Sequence, residues 1–204
     1  MTIGVLGGTF NPIHWGHLIL AQEIAIRLNF AKILFVPAKI PPLKTLMVSE
    51  QHRFTMVQLA IEDNPLFEIS RVEFDRPEIS YTMHTIELLV KQLSEPFAFI
   101  IGSDNVADLP NWHNWQQLVT TCDLVIGERP QFGIEVLEKL SPFLSKKDCD
   151  KLRNNFVHIP MLKISSSEIR KRYAKKISNR YLVPCKVNTY ILENDLYQNE
   201  CDSN

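Results

Sequence analysis

The sequence predicts an α/β fold: a doubly wound parallel sheet covered by helices on both faces, followed by a small C-terminal helical region. Three observations carry this expectation. Short β-branched or apolar runs alternate with longer amphipathic stretches along most of the chain. The short runs are continuously apolar rather than alternating, as in strands buried on both faces. From Lys163 onward only helical periodicity remains.

The strand candidates are residues 3–6, 32–36, 67–69, 97–101, 124–127 and 156–159. Each is too short for a helix and is rich in Ile, Leu, Val and Phe. The helix candidates between them are residues 16–28, 51–63, 82–93, 115–120 and 134–144. Residues 166–175 and 185–194 read as two further short helices. Pro184 opens the second, because its fixed φ suits a helix start. The 204 residues are expected to form a single domain, with about 163–197 as its helical part and a frayed polar end at 198–204.

Apolar residues make up 45% of the chain, enough for a buried core. The net charge of -1 points away from nucleic acid and from a membrane surface, so any anion must be held by a local site. Cys122, Cys149, Cys185 and Cys201 are widely spaced, which fits reduced thiols in a cytoplasmic protein and neither a zinc ribbon nor a redox dithiol. No apolar run reaches 18 residues, and the chain opens directly on a strand, without a signal-like segment.

Chemistry concentrates first in Gly7-Gly8-Thr9-Phe10-Asn11-Pro12-Ile13-His14-Trp15-Gly16-His17. This segment joins the first strand to the first helix. Ligands of open α/β sheets bind at that edge. Glycines let backbone approach a ligand, and free N–H groups at a helix start favour an anion. His14 and His17 add two donors. The set reads as a phosphate site, yet it is neither a Walker A loop nor a Gly-x-Gly-x-x-Gly fingerprint. An ordinary strand-to-helix turn, or a histidine metal pair, is the plainer reading of the same residues; no third metal ligand stands nearby.

A second concentration is Ile164-Ser165-Ser166-Ser167-Glu168-Ile169-Arg170. Ser165 and Glu168 have capping-box spacing. One cap needs one serine, so the remaining hydroxyls with Arg170 make a second anion site. Between the two, Gly102-Ser103-Asp104 ends the fourth strand, where an aspartate takes ribose hydroxyls, helps to hold a metal, or caps a helix. One of Trp112 and Trp115 suits stacking on a ring, the other the core. Lys44, Arg53 and Arg129 are isolated cations, of the kind that are usually only solvated. Ser80 or Thr82 reads as a helix cap.

The first segment resembles one signature of the nucleotidylyltransferase superfamily, and residues 164–170 look like its second. Within that superfamily the chain is similar to the bacterial nicotinate-nucleotide adenylyltransferases. Pro37 through Pro41-Pro42-Leu43-Lys44, Ser80-Tyr81-Thr82-Met83-His84-Thr85, Phe99-Ile100-Ile101-Gly102-Ser103-Asp104, Pro110-Asn111-Trp112, Arg129-Pro130, Tyr181-Leu182-Val183-Pro184 and Leu196-Tyr197 carry that likeness, over about residues 3–197. It is weakest at 131–155.

The resemblance implies a Rossmann-like fold and a Mg2+-dependent transfer of the adenylyl group of ATP to nicotinate mononucleotide. Gly7, Gly8, Thr9, Phe10, His14 and His17 would hold the ATP phosphates, with Lys44 reaching the triphosphate. Gly102 and Asp104 would contact the adenosine. Ile164, Ser165, Ser166 and Arg170 would close on ATP. Thr85, Trp112 and Arg129 would face the mononucleotide, with Trp112 on its ring and Arg129 near its phosphate. No residue is assigned as a dedicated metal ligand, and a homo-oligomer is left open.

Asn11 stands where the pattern more often has aspartate, Leu43 where it has histidine, and Gln131 where it has glycine. Ala38 or Lys39 falls where an asparagine often lies. The departures at Leu43, Gln131 and Ala38 or Lys39 fall on the acceptor or triphosphate side and bear on affinity and fine preference more than on reaction type. Two other readings stay open: a related transferase acting on phosphopantetheine or glycerol phosphate, and a nucleotide-binding protein without turnover.

Overall fold

Side chains alternate along a strand, so one buried strand feeds two core layers. In β1 (Ile3–Gly8), Ile3 and Val5 join one apolar cluster and Leu6 joins the other. The computed structural model describes residues 2–42, 48–75, 77–160 and 162–198. Its remaining strands are β2 (Lys32–Pro37), β3 (Phe67–Ile69), β4 (Phe97–Gly102), β5 (Asp123–Gly127) and β6 (Phe156–Val157). All pair in parallel, in the order β3-β2-β1-β4-β5-β6. This is the Rossmann order, with its reversal of winding between β1 and β4.

The helices are α1 (Trp15–Arg27), α2 (Glu50–Ile61), α3 (Thr82–Gln92), α4 (Ser103–Val106), α5 (Trp115–Thr121), α6 (Lys146–Asn154), α7 (Ser166–Ala174) and α8 (Cys185–Glu193). One face of the sheet packs Leu6, Phe35 and Ile100 against α1, α2, α7 and α8. The other packs Val5, Leu34 and Phe99 against α3 and α5. The C-terminal helices therefore share a core layer with α1 and α2, and α8 lies on α2. The sidedness follows from apolar stripes: Val187 and Ile191, four residues apart on α8, are both fully buried.

One expected helix is corrected. Residues 134–144 form two 3₁₀ segments, Ile134–Lys139 and Ser141–Phe143, instead of an α-helix. Pro142 lacks the N–H that a continuous helix needs there. Two helices were not expected from the sequence. α4 is only one turn. α6 buries Leu152 alone, so its apolar stripe is nearly absent; the Ser145 hydroxyl that accepts from Asp148 N–H marks its start. Strand β6 ends at Val157 rather than at 159. The start of α3 is Tyr81, with neither Ser80 nor Thr82 as its cap.

Candidate active site

The carboxyl ends of β1 and β4 lie side by side, with Leu6 opposite Ile100. The segment after β1 turns there into α1. Gly7 and Gly8 belong to the strand itself, and among the described residues no glycine has positive φ. Their need is for space: a Cβ on Gly7 would meet the Phe99 ring at 2.7 Å, and one on Gly8 the Phe10 ring at 3.0 Å. Phe10 takes the left-handed conformation (φ 47°) and is buried against Phe35 and the edge of His17.

His14 caps α1 from an extended backbone, and its ring stacks on that of His17 with centroids 3.8 Å apart. The His14 N–H donates to His17 Nδ1 at 3.3 Å. Acceptance at Nδ1 leaves the proton of a neutral His17 ring on Nε2. Burial, and then the Arg129 charge, pulls the His14 pKa down to about 3. His17 is also held well below its usual value, by burial, then His14, then Arg129. Two neutral imidazoles therefore line the start of α1.

Arg129 lies against this pair. Its Nη1 donates to Gly16 O at 3.2 Å, and its Nε is 3.8 Å from Asp104 Oδ1. Its own N–H donates to Ser103 Oγ at 2.8 Å. A Cβ on Gly102 would strike Asp104 Oδ1 at 2.3 Å, so glycine there lets the Asp104 carboxylate fold back over the end of β4. Among the described residues, His14 Nδ1, Asp104 Oδ1 and Arg53 Nε are buried without a hydrogen-bond partner. The Arg129 charge lies close to both His14 and Asp104.

The second signature docks on the first. Ser166 Oγ donates to Pro12 O at 2.9 Å, and Arg170 Nη1 to Asn11 O at 2.9 Å. Ser165 caps α7 by accepting from Glu168 N–H at 3.3 Å. Ile164, just before it, is partly buried on the core. From the far end of the chain, Tyr197 OH donates to Asn11 Oδ1 at 2.7 Å. The amide oxygen of Asn11 does there what an aspartate oxygen would do.

Gly7, Gly8, Thr9, Phe10, His14, His17, Gly102, Asp104, Arg129, Ile164, Ser165, Ser166 and Arg170 thus gather at one edge of the sheet. Thr85 and Trp112 lie apart from them, on the layer of α3 and α5. Thr85 is buried, and its hydroxyl donates to Glu73 Oε1 at 2.6 Å. Trp112 packs half-buried on that layer, while Trp115 is buried in it. Tyr81 and His113, with ring centroids 4.6 Å apart, join the segments that carry Thr85 and Trp112. Lys44 and Leu43 lie outside the described residues.

Arg53, which reads in the sequence as an isolated cation, is fully buried and donates to three carbonyls behind the site. Glu73 also has no sequence signal of its own as a site residue, and Tyr197 is marked only by the family likeness of Leu196-Tyr197. Among the described residues no group of three His, Cys, Asp or Glu could hold a metal by itself, and no helix is long and apolar enough to cross a membrane.

The cytidylyltransferase-like family model matches residues 5–172. A probable nicotinate-nucleotide adenylyltransferase of Roseiflexus sp. (strain RS-1) is 40% identical over 200 residues, covering 96% of this chain and 98% of the relative. A protein of the same description from Geotalea daltonii is 40% identical over 212 residues, covering 97% and 98%. The fold is also that of a Plasmodium falciparum nicotinic acid mononucleotide adenylyltransferase complexed with NaAD, at TM-score 0.78 and 23% identity, covering 96% of this chain and 97% of that one. The chain belongs to the nicotinate-nucleotide adenylyltransferases of the cytidylyltransferase-like family.

Proposed function

We propose that this chain transfers the adenylyl group of ATP to nicotinate mononucleotide, releasing pyrophosphate and forming nicotinate adenine dinucleotide, a step of NAD biosynthesis in the cytoplasm. The observation that carries this reading is the docking of α7 on the loop after β1. Ser166 and Arg170, more than 150 residues along the chain, reach Pro12 and Asn11 beside the histidine pair. A site that must hold two anions together needs donors converging from separate elements.

In this reading the acceptor phosphate attacks the α-phosphorus in line, and pyrophosphate leaves. His17, with its proton on Nε2, donates to a phosphate oxygen, and His14 supports it by stacking. Arg170 and Lys44 neutralise the leaving pyrophosphate. Gly7, Gly8, Thr9 and Phe10 let the triphosphate approach the strand end. Gly102 and Asp104 face the adenosine, and Ile164, Ser165 and Ser166 close over it. On the acceptor side, Trp112 offers its face to the pyridine ring. Arg129 stands between the two nucleotides and serves a phosphate. Thr85 supports the acceptor segment from inside, through its bond to Glu73.

The donor set suits a Mg2+ ion that arrives on the triphosphate, with Asp104 as a carboxylate at the edge of the cleft. Bound there, the ion would neutralise charge on the phosphate oxygens.

The test is pyrophosphate release from ATP and Mg2+ with nicotinate mononucleotide, nicotinamide mononucleotide, phosphopantetheine or glycerol phosphate as acceptor. Release with the nicotinate form alone is expected. His17→Ala should lower kcat by on the order of 10²–10³, the range for one preorganised donor. Faster release with another acceptor, or near-normal turnover of the variant, would overturn the assignment it addresses.

A further inference from the structure

We propose that Arg53 and Glu73 are positioning residues that hold the nucleotide loop after β1 and the acceptor-side helix α3 at a fixed separation, through residues 38–40 between them. The proposal rests on the reading of two nucleotides reacting across this cleft.

A guanidinium sealed from water needs a compensating set of acceptors. Arg53, on α2, finds three through its two terminal nitrogens, while its Nε has no partner. Its Nη1 donates to Thr9 O at 2.9 Å and to Ala38 O at 2.5 Å, and its Nη2 to Lys39 O at 2.8 Å. All three are backbone carbonyls, and Arg53 is 0% exposed. Burial pulls its pKa below the usual arginine value. An apolar side chain would fill that volume without the desolvation cost. What the arginine adds is a fork that fixes two loops against each other: Thr9 follows β1, while Ala38 and Lys39 follow β2.

Glu73 continues the tie. It is 6% exposed, and its two oxygens point to different elements. Oε2 accepts from Lys39 N–H at 3.3 Å, and Oε1 accepts from Thr85 OH, on α3, at 2.6 Å. Ser80 adds a parallel strut: its N–H donates to Ile40 O at 2.8 Å, and Ile40 N–H donates to its Oγ at 3.1 Å. Four hydrogen bonds therefore lead from Thr9 through Arg53, Lys39 and Glu73 to Thr85. One end lies on the nucleotide loop, the other on the acceptor-side segment.

In-line transfer requires the reacting atoms to be held about 3–3.5 Å apart, and a displacement of about 1 Å costs on the order of a hundredfold in rate. Each nucleotide still meets its own half of the site when the halves shift. A loosened tie therefore lowers kcat more than it raises either KM.

Arg53→Lys keeps the charge and loses the fork. Glu73→Gln keeps the shape and turns one acceptor into a donor. For each, kcat and both KM values are measured on the full chain, below the melting temperature of the variant. The expected result is a ten- to hundredfold loss of kcat with each KM changed less than threefold. Met56→Ala, a fully buried change on the same helix, should lower Tm while leaving kcat at the wild-type level. Wild-type kcat in both polar variants, or a KM rise that accounts for the whole loss, would overturn the proposal. Hydrogen exchange reads the same tie without turnover. Glu73→Gln should speed exchange at least tenfold at Lys39 and Ile40, and unchanged exchange there also overturns it. If the wild type proves inactive with nicotinate mononucleotide, the functional reading fails on its own, and the exchange result still decides this one.

Discussion

His14 and His17 titrate in an unusual direction for groups proposed to meet an anion. Burial and the Arg129 guanidinium keep both imidazoles neutral, with His14 lowered from 6.5 to about 3. The unfolded chain therefore binds more protons than the folded one between those two values. Stability from this site is fully present above about pH 6.5 and is lost as pH falls toward 3. His14→Gln cannot titrate, so its melting temperature should fall less steeply than that of the wild type between pH 6.5 and 4. Parallel curves for the two proteins would show that His14 takes up no proton on unfolding. The histidines themselves were legible in the sequence, as donors at a helix start. Their neutrality was not, because it depends first on burial in the folded chain and then on neighbours such as Arg129, which meets α1 from 113 residues away. Arg53 was less legible still: its three acceptors stand 14, 15 and 44 residues distant, and no local pattern distinguishes it from a solvated surface cation.

Elements were legible where burial imposes a period. The strand runs at 3–6, 32–36, 67–69 and 97–101 each sit inside or coincide with β1 to β4, because a strand covered on both faces must be continuously apolar. Where one side faces water the signal fades, as in α6, whose nine residues bury only Leu152. The stretch at 134–144 has helical apolar spacing but carries Pro142, and the backbone rule prevails over the pattern. The proposed acceptor side is an arrangement between elements, with α3 and the turn after the 3₁₀ segment Leu109–Asn111 joined by Tyr81, His84 and His113. Trp112 stands half-buried beside this cluster, on a different layer from the histidine pair. Trp112→Ala should raise KM for the mononucleotide about fivefold and that for ATP less than twofold, since stacking on one ring is worth about 1 kcal/mol. Equal effects on both substrates would place Trp112 in general packing rather than in acceptor binding.

At the scale of the whole molecule, the two signatures lie at opposite ends of the chain, and one core layer brings them together. Ile169, Tyr173, Val187, Ile191 and Tyr197 pack with Leu6, Phe35 and Ile100 of the sheet. α7 can present Ser166 and Arg170 to the loop after β1 only while that layer is intact. We propose on this ground that the C-terminal helices and the sheet unfold as one cooperative unit. Ile191→Ala, at a site with 0% exposure, should cost about 2–5 kcal/mol, as other large-to-small core changes do. Trp112 and Trp115 belong to the opposite layer, beyond the sheet, and make their fluorescence a remote reporter. In a Trp15→Phe background, which removes the remaining tryptophan, fluorescence and far-ultraviolet dichroism of Ile191→Ala should shift to the same lower denaturant midpoint with an unchanged slope. A fluorescence midpoint that stays at its original value while dichroism changes would mean that α7 and α8 melt separately. The second signature would then join the site as a hinged element, and its closure on ATP would become a step in its own right.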